Sequence, residues 1–218
     1  MLPRGEMTVS ICRFFIAIWI FFSLLFGLPS AQGACPPAQS KGIICETYAR
    51  PPASSLSNGR VVLFFMYSCP KCGSIHKATT EWEKKIGGLK VFKVHVGWGG
   101  PRDLGQVHFA LQTHNLTHLL SQRLFDSISD KTYKGFDDLI AWAAEEGFPV
   151  DVHKFKETLI SKDAYDYLLV TNSLAEKFQV ESVPMFALDG KYRVSVLDSK
   201  PETLAELETL LVALNAER

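Results

Sequence analysis

The chain has 218 residues, with 23 Lys and Arg against 23 Asp and Glu, and 47% of it is apolar. That size and apolar content suffice for one cored domain, or for one domain carrying an insertion. The balanced charge, 21 basic against 22 acidic residues once the first 33 are set aside, gives no electrostatic footprint for nucleic acid.

In chain order, the first feature is an export signal. Phe14 to Leu28 is an uncharged apolar run of 15 residues preceded by Arg4 and Arg13, short of the roughly 20 that a spanning helix needs. Ala31-Gln32-Gly33 supplies the small residues of a cleavage site, so residues 1–33 are predicted to be removed. An uncleaved segment anchoring the chain to the inner membrane is the alternative. Export implies an oxidising compartment. Of five cysteines, Cys12 leaves with the signal, and Cys35, Cys45, Cys69 and Cys72 remain.

Residues 34–58 are rich in Pro, Ser and Gly, with one candidate strand over 43–48. Arg60 to Ser68, full of β-branched and aromatic residues, reads as a buried strand. Ile75, Ala78, Trp82 and Ile86 then recur at helical spacing, so a helix is predicted over 70–86. Ser68 reads as its N-cap, and Pro70 fits the first turn, where no intrahelical N–H is lost. Cys69-Pro70-Lys71-Cys72 thus falls at a helix N-terminus. Unsatisfied N–H groups there stabilise a thiolate, the form that attacks disulfides.

Gly87-Gly88 ends that helix, and 89–96 reads as a second strand before the loop Gly97-Trp98-Gly99-Gly100-Pro101. From Asp103 to Phe178 the pattern is helical throughout: 103–112, 115–126, 136–146, and 151–178 with a break near 161–163. Strand chemistry returns over 184–188, Asp189-Gly190 marks a hairpin turn, and 192–197 is the returning strand. Ser199-Lys200-Pro201-Glu202 opens a last helix with Leu204, Leu207, Leu210, Leu211 and Leu214 on one face. Trp82, Trp142 and that leucine stripe are predicted core.

Joined to its strand, its helix and the distant hairpin, the Cys-x-x-Cys pair resembles the DsbA family of periplasmic thiol:disulfide oxidoreductases. The matching points are Phe64-Phe65 leading to Cys69-Pro70-Lys71-Cys72, His95-Val96 before a Gly-rich loop and Asp103-Leu104, and Ser182-Val183-Pro184-Met185-Phe186 running into Asp189-Gly190-Lys191-Tyr192. The resemblance implies an α/β, thioredoxin-like fold with an all-helical insertion. Residues 34–102 and 179–218 would form the thioredoxin-like part and 103–178 the insertion. It also implies a cis bond between Val183 and Pro184, beside the cysteines, whose backbone pairs with substrate. A proline starting a strand cannot donate to the ladder, which agrees with an unpaired position.

Two departures are visible. The family's usual Pro-His dipeptide is Pro70-Lys71 here, and a lysine adds a permanent positive charge near the thiolate. A buried acid that many relatives carry six residues before the first cysteine is Leu63 here, so no proton-moving role is carried over.

The expected roles are therefore nucleophile for Cys69 and resolving thiol for Cys72, with Pro70 and Lys71 tuning them. A zinc pair is the alternative for Cys69 and Cys72, and it would need Cys35 and Cys45 or histidines close by. Cys35 and Cys45, ten residues apart in an exported segment, read as a structural disulfide or as a second redox pair that relays electrons. His76, one turn beyond Cys72, reads as a surface or packing residue. His108, on the first insertion helix, where relatives often place a large side chain near the active-site surface, is a candidate for influence on substrate or thiolate.

The expected function is donation of the Cys69–Cys72 disulfide to reduced exported proteins by a monomer without organic cofactor or metal. The resemblance implies re-oxidation by a membrane quinone-linked, DsbB-like oxidase. A reductase or isomerase using the same pair, a client-dedicated partner, and a metal-binding or chaperone module are the alternatives.

Overall fold

The computed structural model describes residues 35, 41–50, 52, 54, 60–98, 103–148 and 150–216. The predicted signal over 1–33 lies outside the described residues. Five strands form one sheet: β1 Ile43–Thr47, β2 Val61–Phe65, β3 Val91–His95, β4 Met185–Leu188 and β5 Tyr192–Val196. Their spatial order is β1-β5-β4-β2-β3. Only the β2–β3 pair is parallel. β2 and β4 are buried at every position, which is why both read as continuous apolar runs rather than alternating ones. β5 lies between β4 and the edge strand β1, and its residues alternate between buried and half-buried.

Seven helices accompany the sheet among the described residues: α1 Pro70–Lys85, α2 Asp103–Thr113, α3 Thr117–Ser129, α4 Phe136–Glu145, α5 Val152–Leu159, α6 Lys162–Lys177 and α7 Pro201–Ala216. The five from α2 to α6 run consecutively between β3 and β4. None of the described helices is long and apolar enough to cross a membrane.

α1 links directly to β2 and buries Cys72, Ile75, Ala78 and Trp82 on one stripe. Lys84 and Lys85 occupy its last turn, where cations complement the helix dipole. Two close approaches need glycine. A Cβ on Gly73 would sit 3.3 Å from Phe125 of α3, immediately after Cys72. A Cβ on Gly105 of α2 would overlap Leu168 of α6. The helical block is thereby seated against both the redox helix and itself.

The hairpin follows its turn chemistry. Asp189 and Gly190 both have positive φ, 52° and 63°, and Lys191 N–H closes on the Leu188 carbonyl at 2.9 Å. Two positive-φ central residues define the turn that matches strand twist. The single helical pattern over 151–178 is divided at Ile160 and Ser161. Ser161 turns extended and caps α6 by accepting from Ala164 N–H, while Asp151 caps α5 from His153 and Lys154 N–H.

Several boundaries differ from the sequence reading. β2 ends at Phe65 rather than Ser68, and α3 runs over 117–129 rather than 115–126. The N-cap of α1 is Cys69 itself, not Ser68, and no side chain caps it. Trp82 is buried, but Trp142 is only half-buried, lying under the Arg123 guanidinium 4.7 Å from its ring centroid. Leu207, Leu210 and Leu211 are core, Leu204 is half-buried, and the side chain of Leu214 lies outside the described residues.

Cys35 and Cys45 are joined by a disulfide with Cα atoms 5.9 Å apart. Cys45 sits in β1, paired with Val194 of β5, so the bridge staples the incoming chain to the sheet edge. Closing a loop of this length is worth at most roughly 3 kcal/mol on chain-entropy grounds. Replacing both cysteines with serine is expected to lower stability within that bound in chemical denaturation. The disulfide exchange expected of Cys69 and Cys72 should survive it. Loss of turnover in a folded double variant would instead identify the pair as an electron relay.

Candidate functional site

β2 delivers the chain to the site. Phe64 pairs with Met185, so the residues just after β2 and just before β4 emerge side by side from the same end of the sheet. The first group contains Cys69; the second is Val183–Pro184, whose peptide bond is cis. Cys69 Sγ lies 3.6 Å from the Val183 carbonyl oxygen. Residues 114 positions apart thus form one site.

Cys69 and Cys72 are unbridged, the first half-buried and the second wholly buried. Their environments push them in opposite directions. The Cys69 thiol is held down to about 6, foremost by the hydrogen bond from the Cys72 side chain and then by the N–H groups of Cys72 and Lys71. Burial opposes this shift, and the charge of Lys71 contributes least. Burial pushes the Cys72 thiol strongly up, and the neighbouring Cys69 adds to it. One sulfur is thus an accessible thiolate at neutral pH and the other a protected thiol.

Because Cys69 is the N-cap and lacks a side-chain capping bond, the open N–H groups of the first turn are left to its sulfur. Pro70 occupies the first helical position, where its ring fixes the turn without removing a useful donor. The Lys71 ammonium points elsewhere. It donates to the Leu197 carbonyl oxygen at 3.0 Å, beyond the end of β5.

Beside Cys69, between α1 and α3, opens a cleft of about 520 Å³. Tyr67 and Phe125 line it along with Ser74, Lys77, Gln122 and Asp126. Tyr67 is a component the sequence reading did not single out. Its hydroxyl lies 3.0 Å from both His108 Nδ1 and Ser121 Oγ, tying the chain before Cys69 to α2 and α3. His108 therefore reaches the site through Tyr67. Its adjacency to Cys69 in sequence was the only signal Tyr67 offered.

His76 is buried, so of the two roles expected for it the structure assigns packing: it lies 5.3 Å from the Phe125 ring, and its Nδ1 is 3.4 Å from Gln122 Oε1. His95 is also buried, stacked on Tyr67 at 5.4 Å, and neither ring nitrogen has a hydrogen-bond partner among the described residues. Burial drives all three imidazoles down, His76 and His95 to about 3 and His108 to about 4. Lys93, also largely buried, is paired with Glu83 at 3.5 Å and donates to Thr80. Among the described residues no group of three or more His, Cys, Asp or Glu converges as a metal site.

No family model matches the chain. It is 29% identical over 173 residues to the thiol:disulfide interchange protein DsbA of Pseudomonas syringae pv. tomato, covering 78% of this chain and 79% of that one. To the DsbA of Bordetella pertussis it is 28% identical, covering 73% and 78%. Among solved structures, the DsbA of Pseudomonas aeruginosa superposes with a TM-score of 0.62 at 25% identity, over 80% of this chain and 92% of the other. A DsbA from Proteus mirabilis, solved with a non-covalently bound peptide, gives 0.63 at 20% identity, over 83% and 100%. The fold is accordingly thioredoxin-like with a helical insertion. Shared fold, a Cys-x-x-Cys pair at a helix start and likeness along most of both chains converge on a thiol:disulfide oxidoreductase similar to the DsbA proteins.

Proposed function

We propose that the oxidised Cys69–Cys72 pair donates its disulfide to reduced, exported proteins. A client thiolate attacks Cys69 Sγ, the accessible sulfur, and Cys72 leaves and takes up a proton in its buried site. A second client thiol then attacks the client sulfur of the mixed disulfide, and Cys69 departs as a thiolate. The client gains a disulfide and the protein keeps two electrons as a dithiol. The observation that carries this reading is the opposed pair itself: a half-exposed Cys69 held down to about 6 above a buried Cys72 pushed up. Stabilising the leaving thiolate stabilises the reduced protein and makes its disulfide an oxidant.

Val183 and Pro184 receive the client, since Val183 backbone lies at the sulfur. The peptide bound non-covalently to the Proteus mirabilis DsbA supports recognition of a peptide segment by this fold. Residues 103–178 act as the helical insertion between the thioredoxin-like parts, 34–102 and 179–218. The protein works as a periplasmic monomer after loss of residues 1–33, and a DsbB-type membrane oxidase re-oxidises it.

Two measurements test the reading. Thiolate absorbance against pH should give a Cys69 midpoint near the about 6 that its surroundings impose; a midpoint near the unperturbed value of about 8.5 would sink it. Equilibration against defined thiol–disulfide couples should give a potential well above the about −270 mV of thioredoxin. A value near that figure would make the protein a reductant.

A further inference from the structure

Lys71, the residue by which the active turn departs from the family's usual dipeptide, makes a contact that its charge alone does not explain. Its Nζ donates to the Leu197 carbonyl at 3.0 Å, across 126 residues. The residue before Leu197 is Val196, whose N–H donates to the Pro184 carbonyl at 3.1 Å. The carbonyl oxygen of Val183, next to Pro184, lies 3.6 Å from Cys69 Sγ. The two hydrogen bonds, this close contact and the short stretches of chain between them close a ring: Cys69, Lys71, Leu197, Val196, Pro184, Val183 and back to Cys69. Leu197 is held from a second side as well, its N–H donating to the Gly42 carbonyl at 2.7 Å, just before β1.

We propose that Lys71 is a positioning residue: through Leu197 and Val196 it holds the Val183–Pro184 turn at a fixed distance from the Cys69 sulfur, and so sets how tightly a reduced client peptide docks. This rests on the oxidase reading above. A client must present its thiol to Cys69 while its backbone meets Val183, and a turn free to drift from the sulfur binds the same peptide less often in the reactive pose. Lysine suits the task because its single ammonium reaches a lone carbonyl at the end of a long stem. An imidazole at this position would be too short to bridge to the end of β5.

The test compares the full-length protein with Lys71→Met and Lys71→Arg, each oxidised and given a reduced two-cysteine peptide. Lys71→Met is expected to raise KM for the peptide roughly three- to tenfold, the scale of one lost hydrogen bond, and Lys71→Arg to restore it. The Cys69 titration midpoint should move by less than about half a pH unit in either variant. An unchanged KM in Lys71→Met, failure of arginine to rescue it, or a midpoint rise of about one unit or more would each overturn the proposal. The last result would return Lys71 to a purely electrostatic role. A wild-type protein that does not oxidise the peptide at all would sink the oxidase reading instead, so the two failures are distinct.

Discussion

Serine in place of Cys72 is expected to leave the protein stalled on its clients. With Cys69 still a thiolate, the variant attacks a disulfide in an oxidised client and forms a mixed disulfide. The buried sulfur three residues on, which would release it, is gone. Such adducts should accumulate on non-reducing gels of periplasmic extract and vanish on reduction. Cys69→Ser should form none and lose oxidase activity altogether, because Cys72 is wholly buried and no client sulfur can reach it. The roles would be reversed if Cys72 proved the faster-alkylating thiol of the reduced protein. The asymmetry in exposure makes this the largest effect expected of any single substitution here.

The second large effect is on stability in acid. His76, His95 and His108 are held neutral by burial, with folded values of about 3, 3 and 4, against about 6.5 in the unfolded chain. The groups that face them add no compensating carboxylate. Lys93 from β3 and His108 lower His76, with only Gln122 of α3 opposing. His95 meets His108, and Lys93 lies near His108. Because the folded values are depressed, the unfolded state binds more protons below about pH 6.5. Stability is therefore fully present above that pH and is lost as pH falls toward 4 or 3. Each histidine that charges only on unfolding adds a slope of up to about 1.4 kcal/mol per pH unit. Denaturation midpoints of the oxidised protein, in which Cys69 does not titrate, measured from pH 7 to 5, where carboxylates remain ionised in both states, should fall steadily. His95→Phe should flatten the fall. A flat profile over that range would show that the imidazoles take up protons without unfolding.

The sequence carried the site's frame because its signals are local. An apolar run, a proline at a helix start and a Cys-x-x-Cys pair all fall within Arg60–Trp82, and Asp189-Gly190 encodes its own turn through two positive-φ positions. The parts that were not legible depend on what the helical block covers. His76 and His108 carry no mark in sequence that separates a surface imidazole from a buried one; Tyr67, Phe125 and Ser121 bury them only after α2 and α3 have docked. Trp142 errs the other way, since a large aromatic on a helical stripe reads as core, yet Arg123 rather than the sheet covers it. The break expected near 161–163 was legible because Ser161 is a capping residue inside an otherwise continuous pattern, and the helices end at Leu159 and resume at Lys162. Lys71 was read for its charge, and its partner at Leu197 lies too far along the chain for any spacing rule to find.

That α1 begins with a cysteine and no side-chain cap ties two properties that are usually measured apart. In the reduced form the Cys69 sulfur is negative at neutral pH and is stabilised by the Cys72 thiol and by the N–H groups of Cys72 and Lys71; once bridged to Cys72 it is neutral and that stabilisation ends. Electrons therefore act here as a stabilising ligand of the native state, bound tightly by the folded chain and weakly by the unfolded one. By linkage, under the proposed oxidase function, the free energy that would make the disulfide an oxidant is the same quantity by which reduction would strengthen the fold. Any substitution at the start of α1 that weakens the oxidant must narrow the stability gap between the two redox forms in equal measure.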